Sequence, residues 1–318
     1  MIGQFSRRAW ALLGLTVALV GLVAPAEAQW GSNSKGTQAP RRMTIEFLDV
    51  GQGDAILIRS PEGKTALVDA GPTRDAAAQW LDRKGVDRVD LVVVTHHHLD
   101  HHGGMEAVVR DFRPRYFVVT DSGHATQSYL RLLRLVKDEG ITTVMPTGKP
   151  RRVELGSVTL TVFPQPPEDP KNENNNSIGL RLQYGGFSVL LTGDSEHEER
   201  RWWLANCPDL IRDSSVLKLA HHGSRNGVDA DWLDLSRPEL AVASLARDNS
   251  YGHPHREAVS LLRQYEIPLL RTDQWGTITL SSDGRTWNLV TFTPLARRLS
   301  PQRPSNVASS RDDATRRR

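Results

Sequence analysis

Residues 95–104 read THHHLDHHGG, and within that run His96, His98, Asp100 and His101 follow the spacing H-x-H-x-D-H. The residues just before, 91–94, are LVVV, an apolar run suited to a strand buried on both faces. A loop leaving such a strand points alternate side chains the same way, so His96 and His98 can face one cation. Asp100 and His101, where the chain turns into a helix, can face a second. Neutral imidazole and carboxylate suit borderline divalent metals such as zinc. A solvated histidine tract or a purification tag would not lie mid-chain between an apolar strand and a Gly-Gly helix start. His97 and His102 fall outside the register and are expected to be bystanders.

Two later segments supply the partners that such a loop needs. Residues 190–194 read LLTGD, which puts Asp194 at a strand end, where one carboxylate can bridge two cations. Residues 216–224 read VLKLAHHGS, a second apolar strand that runs into His221 and His222. An Asp in a turn more often caps a helix, but after the His/Asp cluster, and in this order, the pieces make a set. Two cations a few ångströms apart lower the pKa of a shared water, and the metal-bound hydroxide attacks an electrophile whose developing charge they neutralise. That chemistry serves phosphodiesters, lactams, lactones and thioesters alike. Asp100 is therefore expected at the centre of catalysis as well as in the ligand set. His253, in YGHP before a helix that Pro254 can start, can bind substrate or protonate a leaving group; a hydrogen bond near a helix start is the alternative. Lys218 can reach a phosphate if its strand face lines the site, the alternative being a lysine on an edge strand. Ser224 can bond a phosphate oxygen or serve a turn, and Asn176 completes the candidate substrate-binding set.

Strands and helices must hold these residues in place. Period-two and apolar runs predict strands at 43–49, 55–59, 64–69, 91–95, 116–120, 152–155, 158–163, 178–184, 187–192, 216–220, 240–244, 269–271, 277–280 and 288–291. Helical patterns fall at 76–84, 104–111, 127–139, 197–206, 230–235 and 255–265. Strand pairs followed by strands mixed with amphipathic helices predict an α+β fold of two packed sheets with helices outside. Gly185-Gly186 reads as a hairpin turn. Residues 168–176, EDPKNENNN, read as a polar loop that runs into a strand.

This body, about residues 43–290, resembles the metallo-β-lactamase superfamily and, within it, the hydrolase domain of ComEC-type competence (DNA-uptake) proteins. The motifs that carry the resemblance are LDVGQGDA at 48–55, LVDAG at 67–71, the His/Asp run, NNS at 175–177, TGD at 192–194, HHGS at 221–224, NSYGHP at 249–254 and RTD at 271–273. The resemblance implies the metallo-β-lactamase αββα sandwich, two mixed β-sheets flanked by helices. It implies a metal set of His96, His98, Asp100, His101, Asp194 and one of His221 and His222. His222 is favoured as the ligand, with His221 facing substrate or the ligands from behind. Asp69 is implied to fix the metal loop through hydrogen bonds rather than to bind metal. Where the wider superfamily opens a hairpin with a histidine ligand, this chain has Asn175-Asn176-Ser177, as competence-type members do. The lost imidazole makes manganese an alternative to zinc for the two divalent ions, and it disfavours a β-lactamase.

Residues 1–28 combine Arg7 and Arg8, an apolar run over 9–23 and an A-x-A ending at Ala28, the pattern of a secretory signal peptide. The run is short for a membrane anchor and lacks basic residues after it. Residues 6–10, SRRAW, also resemble a twin-arginine signal, a route for folded proteins. The expected product is exported, periplasmic or extracellular after cleavage near Ala28, with no membrane span. A linker at 29–42, the hydrolase domain at 43–293 and a disordered Arg-rich tail at 294–318 would follow. The single Cys207 offers no internal disulfide, so stability must come from the core and from bound metal. The net charge of +3 belongs to the ends. Setting aside Arg7, Arg8, Glu27, the seven arginines after Pro294, Asp312 and Asp313 leaves 31 basic residues against 34 acidic. A broad basic face for nucleic acid is thus missing. The expected function is hydrolysis of a phosphodiester, with extracellular DNA among the candidate substrates. The alternatives are a phosphoesterase for a cell-wall or lipid-linked substrate and a non-catalytic module that presents the tail to DNA or anionic surface polymers.

Overall fold

The computed structural model describes residues 42–123 and 126–291. The proposed leader, the tail and all of the linker except Arg42 lie outside the described residues. In chain order, β1 (Met43–Phe47), β2 (Ile56–Arg59), β3 (Thr65–Val68), β4 (Leu91–Val93), β5 (Tyr116–Val118) and β6 (Thr142–Val144) build one sheet. A second sheet takes β7 (Arg151–Leu155), β8 (Val158–Val162), β9 (Leu180–Tyr184), β10 (Phe187–Leu191), β11 (Val216–Lys218), β12 (Leu240–Ala243) and β13 (Leu269–Arg271). The chain then returns to the first sheet with β14 (Ile278–Ser282) and β15 (Trp287–Thr291), which lie outside β1 in the order β15-β14-β1-β2-β3-β4-β5-β6.

Each sheet is half antiparallel and half parallel. In the first, the pairing is antiparallel from β15 to β3 and parallel from β3 to β6. In the second, it is antiparallel from β7 to β10 and parallel from β10 to β13. Parallel strands are buried on both faces, and here the reason is visible. Leu91 and Val93 of β4 pack between the sheets, while Val92 packs outward with Leu81, Val108 and Leu132 of the covering helices. In the second sheet Val189 and Val216 face the inner core, whereas Leu190 and Leu217 meet Trp203, Trp232 and Leu262. The architecture is therefore helix, sheet, sheet, helix, the αββα sandwich expected from the motifs. No helix among the described residues is long and apolar enough to cross a membrane.

Departures from the sequence reading are local. Edge strand β6 was not anticipated, because Thr142 and Thr143 are exposed and the strand is three residues long. Short helices form at Leu99–His102, Pro208–Ile211 and Thr272–Trp275, too brief for a periodic signal. The end of the polar segment before β9 is packed inside: Glu173–Asn176 form a 3₁₀ turn whose four residues are all buried.

Candidate metal centre

The His/Asp loop leaves β4 and is fastened first at Asp69, at the end of β3. That carboxylate accepts hydrogen bonds from Thr95 N and Thr95 Oγ1, and Nδ1–H of His101 donates to it, each at 2.8 Å. Glycine is required where the loop turns back: a Cβ on Gly104 would lie 2.4 Å from the carbonyl oxygen of Ala70, and one on Gly53 2.2 Å from that of Asp100. These contacts explain why HHGG and GQGD accompany the metal motif.

Side chains from both sheets then converge. One ligand atom each from Asp100, His101, Asp194 and His222 lie within 4.8 Å of one another. His101 Nε2 is 3.2 Å from Asp194 Oδ1, and His222 Nε2 is 3.3 Å from Asp100 Oδ2 and 3.5 Å from Asp194 Oδ2. His96 and His98 adjoin this group: His96 Nε2 lies 3.0 Å from His98 Nδ1 and 4.0 Å from Asp194 Oδ2.

The hydrogen bonds behind the imidazoles decide which nitrogen each presents. His222 Nδ1 faces the carbonyl of Ser244 at 2.9 Å and must donate to it. His101 Nδ1 donates to Asp69, and His96 Nδ1 donates to Thr95 Oγ1 at 3.1 Å, since that hydroxyl already spends its proton on Asp69. All three rings thus turn an Nε2 lone pair toward Asp194, the arrangement by which outer partners orient metal-binding histidines.

This donor set fits cations. His101 Nε2, His222 Nε2 and Asp194 Oδ1 are buried, and no pair among them is aligned for a hydrogen bond. Buried polar atoms of this kind need a partner. Burial would lower His101, but the carboxylates of Asp194, Asp69 and Asp100 outweigh it and hold its pKa well above the ordinary range. Burial would raise Asp194, but His101 and His222 hold it well below. The surroundings of His101 therefore favour positive charge, which a divalent ion supplies in place of a proton. A neighbouring trio, Asp54, Asp69 and His101, is equally tight, but its charge is already balanced. Lys218 Nζ, 1% exposed, makes an ion pair with Asp54, and Asp69 is filled by Thr95 and His101. That trio forms a layer beneath the ligands.

His221 and His222 both have left-handed backbone, with φ of 49° and 53°. Such strain persists only where surrounding structure over-determines it. The turn sends the two rings apart: His222 inward among the ligands, His221 to the wall of a cavity of about 340 Å³ that opens above them. His221 Nδ1 is held by Glu196 Oε1 at 3.2 Å, and its Nε2 lies 3.8 Å from Asp194. Burial would lower His221, but its bond to Glu196 outweighs this and raises it. Glu196 in turn is pulled down to about 2, first by His221 and then by the amides of Asn174 and Asn172. His253 lines the same cavity, and burial followed by the nearby imidazoles pushes it down to about 4. Its backbone is clasped at both N–H and C=O by the amide of Asn249 at 2.9 Å.

Three expected substrate contacts are placed elsewhere. Lys218 does not reach the cavity, because β11 is an interior strand and the ammonium is committed to Asp54. Ser224 sits in a turn, its N–H donating to the His221 carbonyl. Asn176 clasps Asp169 and borders a separate depression with Thr120, Met145 and Glu168. Ser177, the last residue of the NNS segment, accepts a hydrogen bond from Asp194 N at 3.1 Å and so steadies that carboxylate through its backbone. His97 is buried away from the ligands, between Ser122, Glu173 and a stacked Tyr129 ring. His102 also packs beside Tyr129. Residue spacing missed Asp54, Glu196, Ser244 and Asn249; for Asp54 and Asn249 the GQGD and NSYGHP motifs were the available signal.

Comparisons with known proteins agree with this geometry. A sequence profile described as the Metallo-beta-lactamase superfamily matches residues 48–247. ComE operon protein 3 of Bacillus subtilis is 26% identical over 269 residues, covering 79% of this chain and 34% of that protein. Competence protein ComA of Neisseria gonorrhoeae is 31% identical over 242 residues, covering 74% and 31%. An endoribonuclease of Gibberella zeae is 24% identical over 263 residues, covering 73% and 30%. The chain thus spans about a third of the length of these curated relatives. Among solved structures, CmlA, a diiron beta-hydroxylase from Streptomyces venezuelae, aligns with a TM-score of 0.51 at 17% identity, over 76% of this chain and 54% of that one, a likeness of fold. With the profile spanning the His/Asp run, Asp194 and His222, the chain belongs to the metallo-β-lactamase superfamily and is related to ComEC-type competence proteins.

Proposed function

We propose that the protein is an exported hydrolase that cleaves phosphodiester bonds, with two divalent cations, zinc or manganese, held by His96, His98, Asp100, His101, Asp194 and His222. The observation that carries this reading is the set of imidazole Nε2 atoms and carboxylates facing one space at the foot of an open cavity. Cations bound there supply an activated water and neutralise charge on the attacked group. The chain's own residues set the rest. Asp194, steadied by Ser177, stands between the His96 and His222 sides and suits a bridging role. Asp100 lines the cavity from the other side. His221, oriented by Glu196, which also raises its pKa, stands on the cavity wall where it can meet a phosphoryl oxygen. His253 is a neutral imidazole near pH 7, which favours a hydrogen bond to substrate over delivery of a stored proton.

The endoribonuclease and competence relatives support a phosphodiester substrate, DNA included. The Asn175-Asn176-Ser177 segment, where the wider superfamily carries a histidine ligand, speaks against lactam chemistry. Export is supported by the pattern of residues 1–28, and N-terminal sequencing of the exported protein would check cleavage near Ala28.

Purified protein is expected to hydrolyse bis-p-nitrophenyl phosphate and single-stranded DNA with zinc or manganese, to leave nitrocefin unchanged, and to lose activity with chelator. Asp100→Ala should lower turnover by more than roughly a hundredfold, beyond the cost of removing a residue that only orients a ligand. Absence of turnover on both substrates with both metals would reject the reading.

A further inference from the structure

We propose that the mouth of the metal cavity carries a stacking platform for an unpaired nucleobase next to the scissile phosphate, formed by the Tyr251 ring backed by His253 and faced by Leu99. The proposal rests on the phosphodiesterase reading above and narrows it to single-stranded nucleic acid.

Large exposed apolar side chains are few among the described residues: Leu99, Met145, Tyr251, Leu289 and Val290. Two of the five, Leu99 at 57% and Tyr251 at 62% exposed, line this one cavity. Exposed apolar groups gathered at a cleft mark a contact site rather than ordinary surface. The Tyr251 ring is not a loose ornament. It lies near-parallel to His253, with ring centroids 5.6 Å apart and planes 20° apart, and His253 packs edge-on against His255 at 4.8 Å. Asn249 fixes the loop beneath by bonding both Ala246 and His253, and Ala246 N donates to Gln52, another residue of the cavity wall. The result is a flat aromatic surface held beside the ligands and open to solvent.

Charge selects the occupant. Outside the proposed leader and tail the chain carries 31 basic and 34 acidic residues, so it has no cationic surplus of the kind that holds a duplex along its phosphates. A substrate phosphate would be met by the metal centre and His221, and further affinity must come from another part of the nucleotide. Every base has a π-face, and base–aromatic stacking is tolerant of sequence. A base is free to stack only when it is unpaired. The platform therefore distinguishes single strand from duplex without a cationic groove.

The test uses the purified full chain with zinc and, in parallel, with manganese. The probes are a short phosphorothioate oligonucleotide carrying 2-aminopurine for equilibrium binding, and a phosphodiester strand, its duplex and a series with one abasic position for cleavage. Wild-type protein should quench 2-aminopurine on the single strand and cleave it in preference to the duplex. Tyr251→Ala should weaken binding and raise KM by roughly 5- to 150-fold, the loss typical of one stacked base, with a smaller effect on kcat. Tyr251→Phe should restore most of the affinity. The Tyr251→Ala loss should shrink when the abasic position falls beside the cleaved bond. Equal losses on intact and abasic strands, or an affinity and KM within twofold of wild type, would overturn the platform. Quenching without cleavage would reject the phosphodiesterase reading and leave the platform standing. Cleavage of bis-p-nitrophenyl phosphate without quenching would reject the platform alone, and neither binding nor cleavage would reject both.

Discussion

Lys218 occupies a position that is costly for a lysine. Its side chain is 1% exposed, and burial would lower its pKa, but Asp54 and then Asp194 outweigh that and raise it. The ammonium also approaches the carbonyl of Gly193 at 3.4 Å, so one fixed positive charge underlies the turn that carries Asp194. Lys218→Met should destabilise the protein by about 3–5 kcal/mol, because it leaves Asp54 buried without its partner. Lys218→Met combined with Asp54→Asn should recover part of that loss, and urea unfolding of the three variants would measure it. At this scale the sequence was informative about residue type and spacing: the positions of His96, His98, Asp100, His101, Asp194 and His222 all proved close in space. It was uninformative about depth. Nothing in VLKLAHH distinguishes a lysine that reaches into a cavity from one that props its floor, because that depends on whether β11 lies at an edge or inside the sheet. The same limit hid Glu196, whose partners Asn172 and Asn174 on one side and His221 on the other come from two separate segments.

At the scale of elements, Asp229 joins two helices behind the site. Its carboxylate caps the helix Ala230–Ser236 through Trp232 N at 3.0 Å and accepts Arg200 Nη2 at 2.7 Å from the helix His197–Asn206. Arg200 also bonds the carbonyl of Ser195, next to Asp194. Burial would raise Asp229, but Arg200 outweighs it and lowers the pKa below the ordinary 3.8. A lowered carboxylate contributes stability that is fully present above its unfolded value and is lost as pH falls through the folded one. Stability should therefore decline as pH drops below about 4, and Asp229→Asn should flatten that decline while costing about 1.5–3 kcal/mol at pH 7. Unfolding midpoints measured from pH 7 to pH 3 would show both effects. Most elements were legible because their cores demand it: alternate apolar residues of β1 and unbroken apolar runs in β4 and β12 report their buried faces. Residues 168–176 form the loop that their composition signals, but composition does not tell how deeply its end is packed. Here Asn172, Asn174 and Asn175 turn inward and bond the Glu196 segment, including its N–H.

At the scale of the whole molecule, the proposed metal ligands come from both sheets. His96 to His101 follow β4 of the first, whereas Asp194 and His222 follow β10 and β11 of the second. Cations bound among them would pin the two layers together at one rim, as a cross-link that the single cysteine cannot provide. Chelation should then lower the stability of the entire fold and not only that of the loop. With free metal about 100-fold above its dissociation constant the effect is about 2.7 kcal/mol. For a domain of this size that corresponds to a Tm lower by roughly 5–10 °C. Calorimetry with and without chelator tests it, and a Tm unchanged by chelation would argue against a metal that bridges the sheets.

The separation of these ligands along the chain also bears on when a metal can be chosen. A nascent or extended polypeptide presents the His/Asp run alone, without Asp194 or His222 near it, and so discriminates poorly among ions. Selection begins only once the second sheet has docked on the first. The ion acquired is consequently the one most available, at the moment of folding, in the compartment where the chain folds. A passenger threaded across a membrane unfolded would take its metal from the outer space, while one carried across folded would bring its ion from the cytosol. For this architecture, the route of travel is part of what determines cofactor identity.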